Sequence, residues 1–362
     1  MLRATHGCTG GRLLLLLQLV TTVRSSGAFQ VYWNVPSFVC RKYQMEFTGL
    51  TQRFGIVQNQ ADEFRGERIA ILYDPGVFPA LLHASNDTIL VRNGGVPQEG
   101  KLGLHLRRFR EQLDELLPDR EFAGLGVLDM ESWRPVFRQN WAALQLYRNY
   151  SLELERRRQP HWSPARLREE ATRRFEIAAR DFMLATLRLA AELRPRARWG
   201  YYAYPYCFNW SAQQPSARCP PQVQRENDRM SWLFGTVDAL YPSVYLRRAL
   251  SAEQSLGMVR GRVREALRVA AQATGGDRPT PQVFVYYWFK YQDQRDVYVE
   301  QAQLVDTVTE IARSGADGLI LWGSSADLDS RSKCEGFADY LEKSLGPALE
   351  RARRRVAADG SL

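Results

Sequence analysis

Short apolar runs alternate with amphipathic stretches along nearly the whole chain. Runs rich in β-branched and aromatic residues that end at turn residues predict strands. Seven such runs occur, at 29–34, 69–73, 124–131, 198–205, 239–245, 282–288 and 318–325. The run at 69–73 is apolar throughout, which is typical of a strand buried on both faces of a parallel sheet.

Between these runs, apolar residues recur at the spacing of an α-helix. The longest helix is predicted to begin at Ser163 and Pro164, an N-cap residue followed by proline at the first helical position, and to end near Leu193. Its buried stripe includes Phe175 and Phe182. Further helices are predicted at 42–54, 101–116, 222–235, 252–273, 298–313 and 335–346.

The order of these elements predicts the fold class. Strands that alternate with helices predict a parallel sheet, and seven such units in about 330 residues favour a closed barrel over an open sheet. The composition, 45% hydrophobic and 25% charged, is that of an ordinary globular protein, without a break that would mark a second domain. We therefore predict a single α/β domain, a TIM-like (β/α)7 barrel over 29–347, followed by a basic, frayed tail at 348–362.

The first 28 residues have the layout of a signal peptide. Arg3 and Arg12 precede an apolar run at 13–20, and small residues follow up to Ala28. The apolar run is too short to span a bilayer. We therefore expect cleavage near Ala28 and a secreted, extracellular protein without a membrane anchor.

Four cysteines remain once Cys8 is removed with the signal peptide: Cys40, Cys207, Cys219 and Cys334. An even number in a secreted chain suggests two disulfides, for which three pairings exist. The short polar loop between Cys207 and Cys219 favours their pairing, which leaves Cys40 with Cys334. A zinc site is not expected, because the sequence has neither a C-x-x-C motif nor a histidine cluster.

Three sequons predict N-glycosylation if the chain is secreted, at Asn86, Asn149 and Asn209. The formal net charge is +9, and it falls to +6 without residues 1–28, which contain three arginines and no acidic residue. A mild positive charge suits a polyanionic partner. Much of it comes from solvated arginines near the C-terminus and on the long helix, so a nucleic-acid partner is not expected.

Two carboxylates stand one residue apart at the end of the third predicted strand, Asp129 and Glu131. Residues i and i+2 of a strand point to the same side, so the two charges would interact. We expect repulsion and partial burial to raise one pKa and to leave the other low. Glycosidic-bond hydrolysis needs such a pair. Taken alone, the pair fits a solvated strand end better, and the other strands must decide.

Most of the other strands also end in residues suited to binding sugars. Because strand ends converge at the mouth of a β/α barrel, these side chains would meet there. Aromatic faces stack on sugar rings, and hydroxyls bond to the ring substituents. A single tyrosine or tryptophan is more often a core residue, whereas six strands together favour a carbohydrate site. The residues are Tyr73, Asp74, Tyr202, Tyr204, Ser243, Tyr245, Tyr287, Trp288, Trp322, Ser324 and Ser325.

Seven ordered motifs are Val31-Tyr-Trp-Asn-Val-Pro36, Ala70-Ile-Leu-Tyr-Asp-Pro75, Val91-Arg-Asn-Gly-Gly-Val-Pro97, Asp129-Met-Glu-Ser-Trp-Arg-Pro135, Gly200-Tyr-Tyr-Ala-Tyr-Pro-Tyr-Cys207, Pro242-Ser-Val-Tyr-Leu246 and Leu321-Trp-Gly-Ser-Ser325. Together they resemble the hyaluronidase family of glycoside hydrolases, most closely its insect venom and salivary type. The resemblance covers about residues 29 to 347. It implies a distorted seven-stranded β/α barrel that cleaves the β-1,4 bond after N-acetylglucosamine in hyaluronan, with some cleavage of chondroitin.

The resemblance also implies a substrate-assisted, retaining mechanism, in which the acetamido oxygen of the substrate attacks the anomeric carbon. Glu131 matches the acid/base of the family, and Asp129 matches the residue that shares its hydrogen-bond network. Tyr202 and Tyr245 match the tyrosines that position the acetamido group, and Trp322 matches the wall of that pocket.

Substrate-contacting positions of the family match Tyr73, Asp74, Arg134, Ser243, Ser324 and Ser325. Arg134 would either pair with a glucuronate or orient Glu131. The family's disulfides match Cys40–Cys334 and Cys207–Cys219. Met130 departs from the family, in which an aromatic residue is more usual, and strand alternation should point it away from the cleft.

Two other functions are less well supported by the sequence. A chitinase-type barrel would need acidic residues at the positions of Gly124 and Val127. A secreted sugar-binding barrel without catalysis conflicts with the intact pair Asp129 and Glu131. No glycine-rich phosphate loop follows a strand, so no nucleotide, flavin or metal cofactor is expected. We expect a monomer that prefers hyaluronan to chondroitin, although the sequence does not show what faces the C4 hydroxyl.

Overall fold

The structure is a computed structural model that describes residues 29–83, 88–210, 216–273 and 278–359. The predicted signal peptide and the first sequon asparagine, Asn86, lie outside the described residues.

Seven parallel strands form a distorted barrel, as predicted. They are β1 (Gln30–Asn34), β2 (Ile69–Tyr73), β3 (Leu125–Asp129), β4 (Arg198–Tyr201), β5 (Ala239–Leu240), β6 (Gln282–Trp288) and β7 (Gly318–Trp322). Strands β2, β3 and β4 pair in one sheet, and β1, β7, β6 and β5 pair in that order in another. A bridge between Tyr202 and Tyr241 joins β4 to β5, and β1 lies beside β2 where the two sheets meet.

Alternate residues of each strand belong to two apolar clusters. In β2, Ile69 and Ile71 join the cluster inside the barrel, whereas Ala70 and Leu72 join the cluster under the helices. This double burial explains why the run at 69–73 is apolar throughout. The same alternation places Met130 in the outer cluster, away from the cleft, as predicted.

Helices cover the outside of the barrel. They are α1 (Thr48–Arg53), α2 (Leu102–Leu116), α3 (Gln145–Arg158), α4 (Pro164–Leu193), α5 (Pro221–Arg229), α6 (Ser231–Phe234), α7 (Ala252–Gln272), α8 (Gln301–Arg313), α9 (Arg331–Tyr340) and α10 (Gly346–Ala358), with a π-helical turn at Leu341–Leu345. The side chain of Ser163 caps α4 as predicted, accepting from the N–H of Arg166.

Several predicted boundaries are wrong. The helix predicted at 42–54 is a 3-10 helix, Ser37–Tyr43, followed by α1, and the helix predicted at 298–313 begins at Gln301. The strand predicted at 239–245 has a ladder of only two residues, because beyond it only Tyr241 and Ser243 form bridges. Elements that were not predicted are α3, the strand Ile56–Val57, and the antiparallel hairpins Ala80–His83 with Ile89–Arg92 and Lys290–Tyr291 with Gln294–Tyr298.

The prediction of a frayed C-terminal tail is wrong. Helix α10 packs on α8, and Ala348, Leu349, Ala352 and Val356 are buried. These small and apolar residues recur at helical spacing between the arginines, which supplies a buried stripe. Arg353 also donates to the carbonyl oxygens of Phe54 (2.6 Å) and Gly55 (2.9 Å).

Both predicted disulfides are present. Cys40–Cys334 joins the 3-10 helix after β1 to α9, with the Cα atoms 5.9 Å apart. Cys207–Cys219 closes the loop after β4, with the Cα atoms 5.0 Å apart. Among the described helices, none has the length and apolar character needed to cross a bilayer.

Candidate active site

A cleft of about 940 Å³ opens at the carboxyl ends of the barrel strands. This is the end of a β/α barrel where catalytic residues converge. Residues from five strands or the turns that follow them line it together. Those that the sequence predicted are Tyr73, Asp129, Glu131, Arg134, Tyr202, Ser243, Tyr245 and Trp322.

Asp129 is the last residue of β3 and is almost fully buried. Its Oδ1 atom has no hydrogen-bond partner in the described part of the chain. Burial raises the pKa of Asp129 to about 8, and the negative charges of Glu131 and Asp74 add to this rise. Asp129 is therefore uncharged in weakly acidic and neutral solution.

Glu131 reaches into the cleft two residues further along. Burial by the cleft walls raises its pKa, and the positive charge of Arg134 opposes this rise. The prediction that one carboxyl pKa would stay low is therefore wrong, because the barrel mouth desolvates both groups.

Aromatic rings line the same cleft as these carboxyls and form one of its walls. Tyr245 stacks on Trp322, with ring centroids 5.6 Å apart and planes 17° from parallel. The indole N–H of Trp322 donates to the hydroxyl of Tyr73 (2.9 Å), and the hydroxyl of Tyr202 donates to Oγ of Ser243 (3.4 Å). Burial raises the pKa of Tyr202 and Tyr245 far above neutrality, so both phenols stay protonated and can donate hydrogen bonds.

Three predicted substrate contacts do not line this cleft. The carboxylate of Asp74 pairs with Arg92 (2.9 Å between Nη2 and Oδ1). Ser324 lines a neighbouring pocket of about 320 Å³, which shares Tyr245 and Trp322 with the cleft. Ser325 begins a short 3-10 turn and is exposed. These residues would reach only a substrate that extends over the rim.

Arg134 is held beside the carboxyls by aromatic rings. Its guanidinium lies 4.8 Å from the ring centroid of Tyr206, 5.0 Å from Phe208 and 5.2 Å from Trp141, and its Nη1 donates to the carbonyl oxygen of Gln139 (2.7 Å). Its two predicted roles are to pair with a glucuronate or to orient Glu131. This fixed position and the effect of Arg134 on the pKa of Glu131 favour the second.

The chain is similar to known proteins along most of its length. The family model described as Hyaluronidase matches residues 19–357. The chain belongs to the hyaluronidase family. A hyaluronidase of Apis mellifera is 52% identical over 323 residues, which is 89% of this chain and 84% of the relative. The crystal structure of bee venom hyaluronidase in complex with a hyaluronic acid tetramer has a TM-score of 0.87 at 52% identity, covering 90% of this chain and 99% of that one.

Another relative in the hyaluronidase family has a different name. It is Inactive hyaluronidase B of Vespula vulgaris, 38% identical over 335 residues, which is 92% of this chain and 97% of the relative. Family membership therefore establishes the ancestry and the fold, and the activity of a particular member depends on its own site residues.

The cleft of this hyaluronidase-family barrel also contains residues that sequence analysis missed. They lie in the loops after β3, β4 and β5 and on α7, where no strand or helix period singles them out. The only signal was the density of aromatic residues in the loop after β4. The missed residues are Trp141, Tyr206, Phe208, Trp210, Arg247 and Arg262.

Asp327 organises the neighbouring pocket of the hyaluronidase-family site. Its carboxylate is buried and accepts from the indole N–H of Trp288 (3.0 Å), from Nζ of Lys290 (3.0 Å) and from the N–H of Ser324 (2.8 Å). The ring of Trp288 lies 5.6 Å from that of Trp322. The buried ion pair of Asp327 and Lys290 therefore fixes the turn after β7, next to Trp322 of the cleft wall. In the described residues, no group of three or more His, Cys, Asp or Glu side chains could hold a metal ion.

The structure contradicts the prediction of a glycan on Asn209. This side chain is only 2% exposed. Its Nδ2 atom donates to the carbonyl oxygens of Ser216 (2.8 Å) and Met258 (3.0 Å), so the atom that would carry the glycan is already engaged. Asn149 is exposed on α3 and remains a predicted site.

We expect mass spectrometry of glycopeptides from the secreted protein to find a glycan on Asn149 and an unmodified Asn209. The buried amide of Asn209 would have to leave two hydrogen bonds to accept a sugar. Treatment with a glycosidase that converts glycosylated asparagine to aspartate gives the control, because it should change the mass of the Asn149 peptide and leave that of the Asn209 peptide unchanged. A glycan on Asn209 in folded, soluble protein would contradict this arrangement.

Proposed function

We propose that the protein is a secreted endo-β-N-acetylhexosaminidase that hydrolyses the β-1,4 bond between N-acetylglucosamine and glucuronate in hyaluronan. The observation that carries this proposal is the common cleft of Glu131, Asp129, Tyr202, Tyr245 and Trp322. Relatives of the protein support the proposal, since bee venom hyaluronidase binds a hyaluronic acid tetramer in its crystal structure.

In the first step, Glu131 protonates the oxygen of the leaving sugar while the acetamido oxygen of the substrate attacks the anomeric carbon from the other side. The glycosidic bond breaks, and a cyclic oxazolinium ion forms between the acetamido group and the anomeric carbon. In the second step, the Glu131 carboxylate takes a proton from water while the water oxygen bonds to the anomeric carbon. The bond between this carbon and the acetamido oxygen breaks, which opens the ring. Two inversions give retention of configuration.

Asp129 keeps the charge of the carboxyl pair low. With a pKa of about 8 it adds no second negative charge beside Glu131 below that pH, so the carboxylate that forms when Glu131 gives up its proton is not repelled by Asp129. The negative charge that appears when Glu131 releases the proton coincides with the positive charge on the oxazolinium ion. The two opposite charges form together in a desolvated site, where their attraction is strong.

The tyrosines and the tryptophan hold the reacting sugar. The phenols of Tyr202 and Tyr245 stay protonated at neutral pH, so each can donate a hydrogen bond that fixes the acetamido oxygen in the attacking position. The stacked pair of Tyr245 and Trp322 offers a flat wall for the acetamido methyl group and the sugar ring. Holding the nucleophile close to the anomeric carbon lowers the entropic part of the barrier.

A second candidate function is binding of sugars without hydrolysis. One observation favours it, the relative named Inactive hyaluronidase B. The intact carboxyl pair and both tyrosines oppose it. An assay of new reducing ends on hyaluronan, from about pH 4 to about pH 8, separates the two functions. Retained binding without any new reducing ends would establish the second one.

Secretion is part of the proposal. Residues 1–28 have a signal-peptide pattern, and both disulfides of the described structure suit an oxidising compartment. Amino-terminal sequencing of protein from the culture medium tests the cleavage expected near Ala28.

We expect faster turnover of hyaluronan than of chondroitin. The two polymers differ in the orientation of the C4 hydroxyl of the hexosamine, and that ring would lie on the wall of Tyr245 and Trp322. Reducing-end release from the two polymers, at matched chain length and ionic strength, measures the preference. Equal rates, or a higher rate on chondroitin, would contradict it.

A further inference from the structure

Two arginines in the cleft form no ion pair with the described residues, although the charge of Arg247 acts on the carboxylate of Asp293. Arg262 donates to the carbonyl oxygen of Ser243 (2.7 Å) and to Oδ1 of Asn209 (3.2 Å), which are both uncharged. The guanidinium of Arg247 lies 4.0 Å from the ring centroid of Trp210. Within the described ranges of the chain, neither arginine forms an ion pair, although both line the cleft.

Arg262 is held in place by hydrogen bonds. Asn209 fixes Arg262 through Oδ1 and binds α7 through its donation to Met258. The disulfide Cys207–Cys219 closes the loop that carries Asn209 and Trp210. Burial lowers the pKa of Arg262 to about 10, and the nearby charge of Arg247 contributes to this, so Arg262 is still a cation at neutral pH. A desolvated cation without a counter-charge is costly, and an anionic ligand would compensate it.

The position of this arginine pair in the cleft indicates which sugar would meet it. Tyr73, Tyr245 and Trp322 contact one another along one wall. The loops after β3 and β4 form the opposite part, where the rings of Trp141 and Phe208 lie 5.6 Å apart. If N-acetylglucosamine occupies the wall of Tyr245 and Trp322, as proposed above, the sugar beyond the scissile bond extends toward these loops.

We propose that Arg247 and Arg262 bind the carboxylate of the departing sugar, with Trp210 as the platform beneath it. This inference rests on the proposed function. In hyaluronan the sugar that leaves is a glucuronate, whose carboxylate matches the planar fork of a guanidinium. The indole Nε1 of Trp210 is buried and has no partner among the described residues, so its N–H can donate to a hydroxyl or carboxylate oxygen of this sugar.

The test compares two substrates that differ only beyond the scissile bond. One is a hyaluronan oligosaccharide, and the other ends in N-acetylglucosamine linked to p-nitrophenol, which carries no carboxylate. For the variant Arg247→Gln we expect kcat/KM to fall about 10- to 100-fold on the oligosaccharide, the usual effect of a lost charge-assisted hydrogen bond. On the p-nitrophenyl substrate we expect kcat/KM to stay within about twofold of the wild type, since that leaving group makes no such bond.

The neighbouring Arg248→Gln is the matched control. Arg248 is exposed and donates to Gln294 (3.2 Å) outside the cleft, so neither substrate should be affected. Trp210→Phe keeps the ring and removes the donor, and it should show the same substrate selectivity with a smaller loss. This second variant decides the test if Arg247→Gln does not fold.

Three outcomes would overturn the inference. An equal loss on both substrates would place Arg247 on the non-leaving side of the bond. An unchanged rate on the oligosaccharide would show that no contact exists. If wild-type protein binds hyaluronan but cleaves neither substrate, the proposed function fails first, and the inference falls with it. Activity of the wild type on the oligosaccharide, with no change in the variants, contradicts the inference alone.

Discussion

Glu131→Gln is expected to lower kcat on hyaluronan by about three orders of magnitude, the middle of the range for a lost general acid–base catalyst. Glutamine has nearly the same shape but cannot release a proton to the leaving oxygen or take one from water. Since binding uses the aromatic wall and the cationic residues, KM should change little. A fall in kcat without a change in KM marks a group that acts in the transition state.

Initial rates of reducing-end release over a range of hyaluronan concentrations give kcat and KM separately. Glu111→Gln is the matched control, because Glu111 is exposed on α2, where it pairs with Arg108, and its loss should leave both constants unchanged. Thermal unfolding should show that the Glu131 variant is folded. Without its acid catalyst the enzyme should retain far less than about a tenth of wild-type kcat. If folded Glu131→Gln retained more than that fraction, Glu131 would not be the acid/base.

The barrel could be predicted because its signals are local. Each strand is an apolar run that ends in a polar turn, and each long helix has its own apolar stripe. Ile69 and Ile71 pack in one apolar cluster and Ala70 and Leu72 in the other, and this burial of both faces is visible in the sequence as an uninterrupted apolar run. Because parallel strands end at one face, placing Tyr202, Tyr245 and Trp322 in a common cleft required only the correct strand order.

Residues in loops could not be predicted in this way. Arg247 and Arg262 are 15 positions apart in sequence, and they share a site only because Asn209, in a third segment, binds α7 and the loop after β4 together. The sequon at Asn209 was misleading for the same reason. The N-x-S/T pattern usually marks an asparagine in a surface loop. The burial of Asn209 depends instead on tertiary contacts with Ser216 and Met258.

The pKa values of the carboxyl pair show a similar limit. Strand alternation places Asp129 and Glu131 on one side, so their interaction could be predicted. The extent of desolvation could not, because it depends on how far the loops after β3 and β4 enclose the mouth of the barrel. The result is a raised pKa for both groups instead of one raised and one low.

Asp129→Asn is expected to stabilise the fold at neutral and alkaline pH while it reduces activity. The pKa of Asp129 is about 8 in the folded protein, against 3.8 in the absence of burial. Between these two values the folded state holds a proton that the unfolded state has lost, so the wild-type free energy of unfolding falls as the pH rises from about 4 to about 8. Each pKa unit corresponds to about 1.4 kcal/mol, so the cost near pH 8 is on the order of 5 kcal/mol. Asparagine does not ionise and avoids it.

Melting temperatures measured at several pH values test this prediction. The variant and the wild type should melt together near pH 4, and the variant should become more stable by an increasing margin up to pH 8. Asp181→Asn, on the exposed face of α4, is the control and should give no pH-dependent difference. On hyaluronan, Asp129→Asn should lower kcat about 10- to 100-fold, because an amide cannot take up or release a proton beside Glu131 during the reaction. A constant difference in melting temperature at all pH values would mean that the carboxyl of Asp129 is not held neutral by burial. The link between its burial and the protonation of Glu131 would then be wrong.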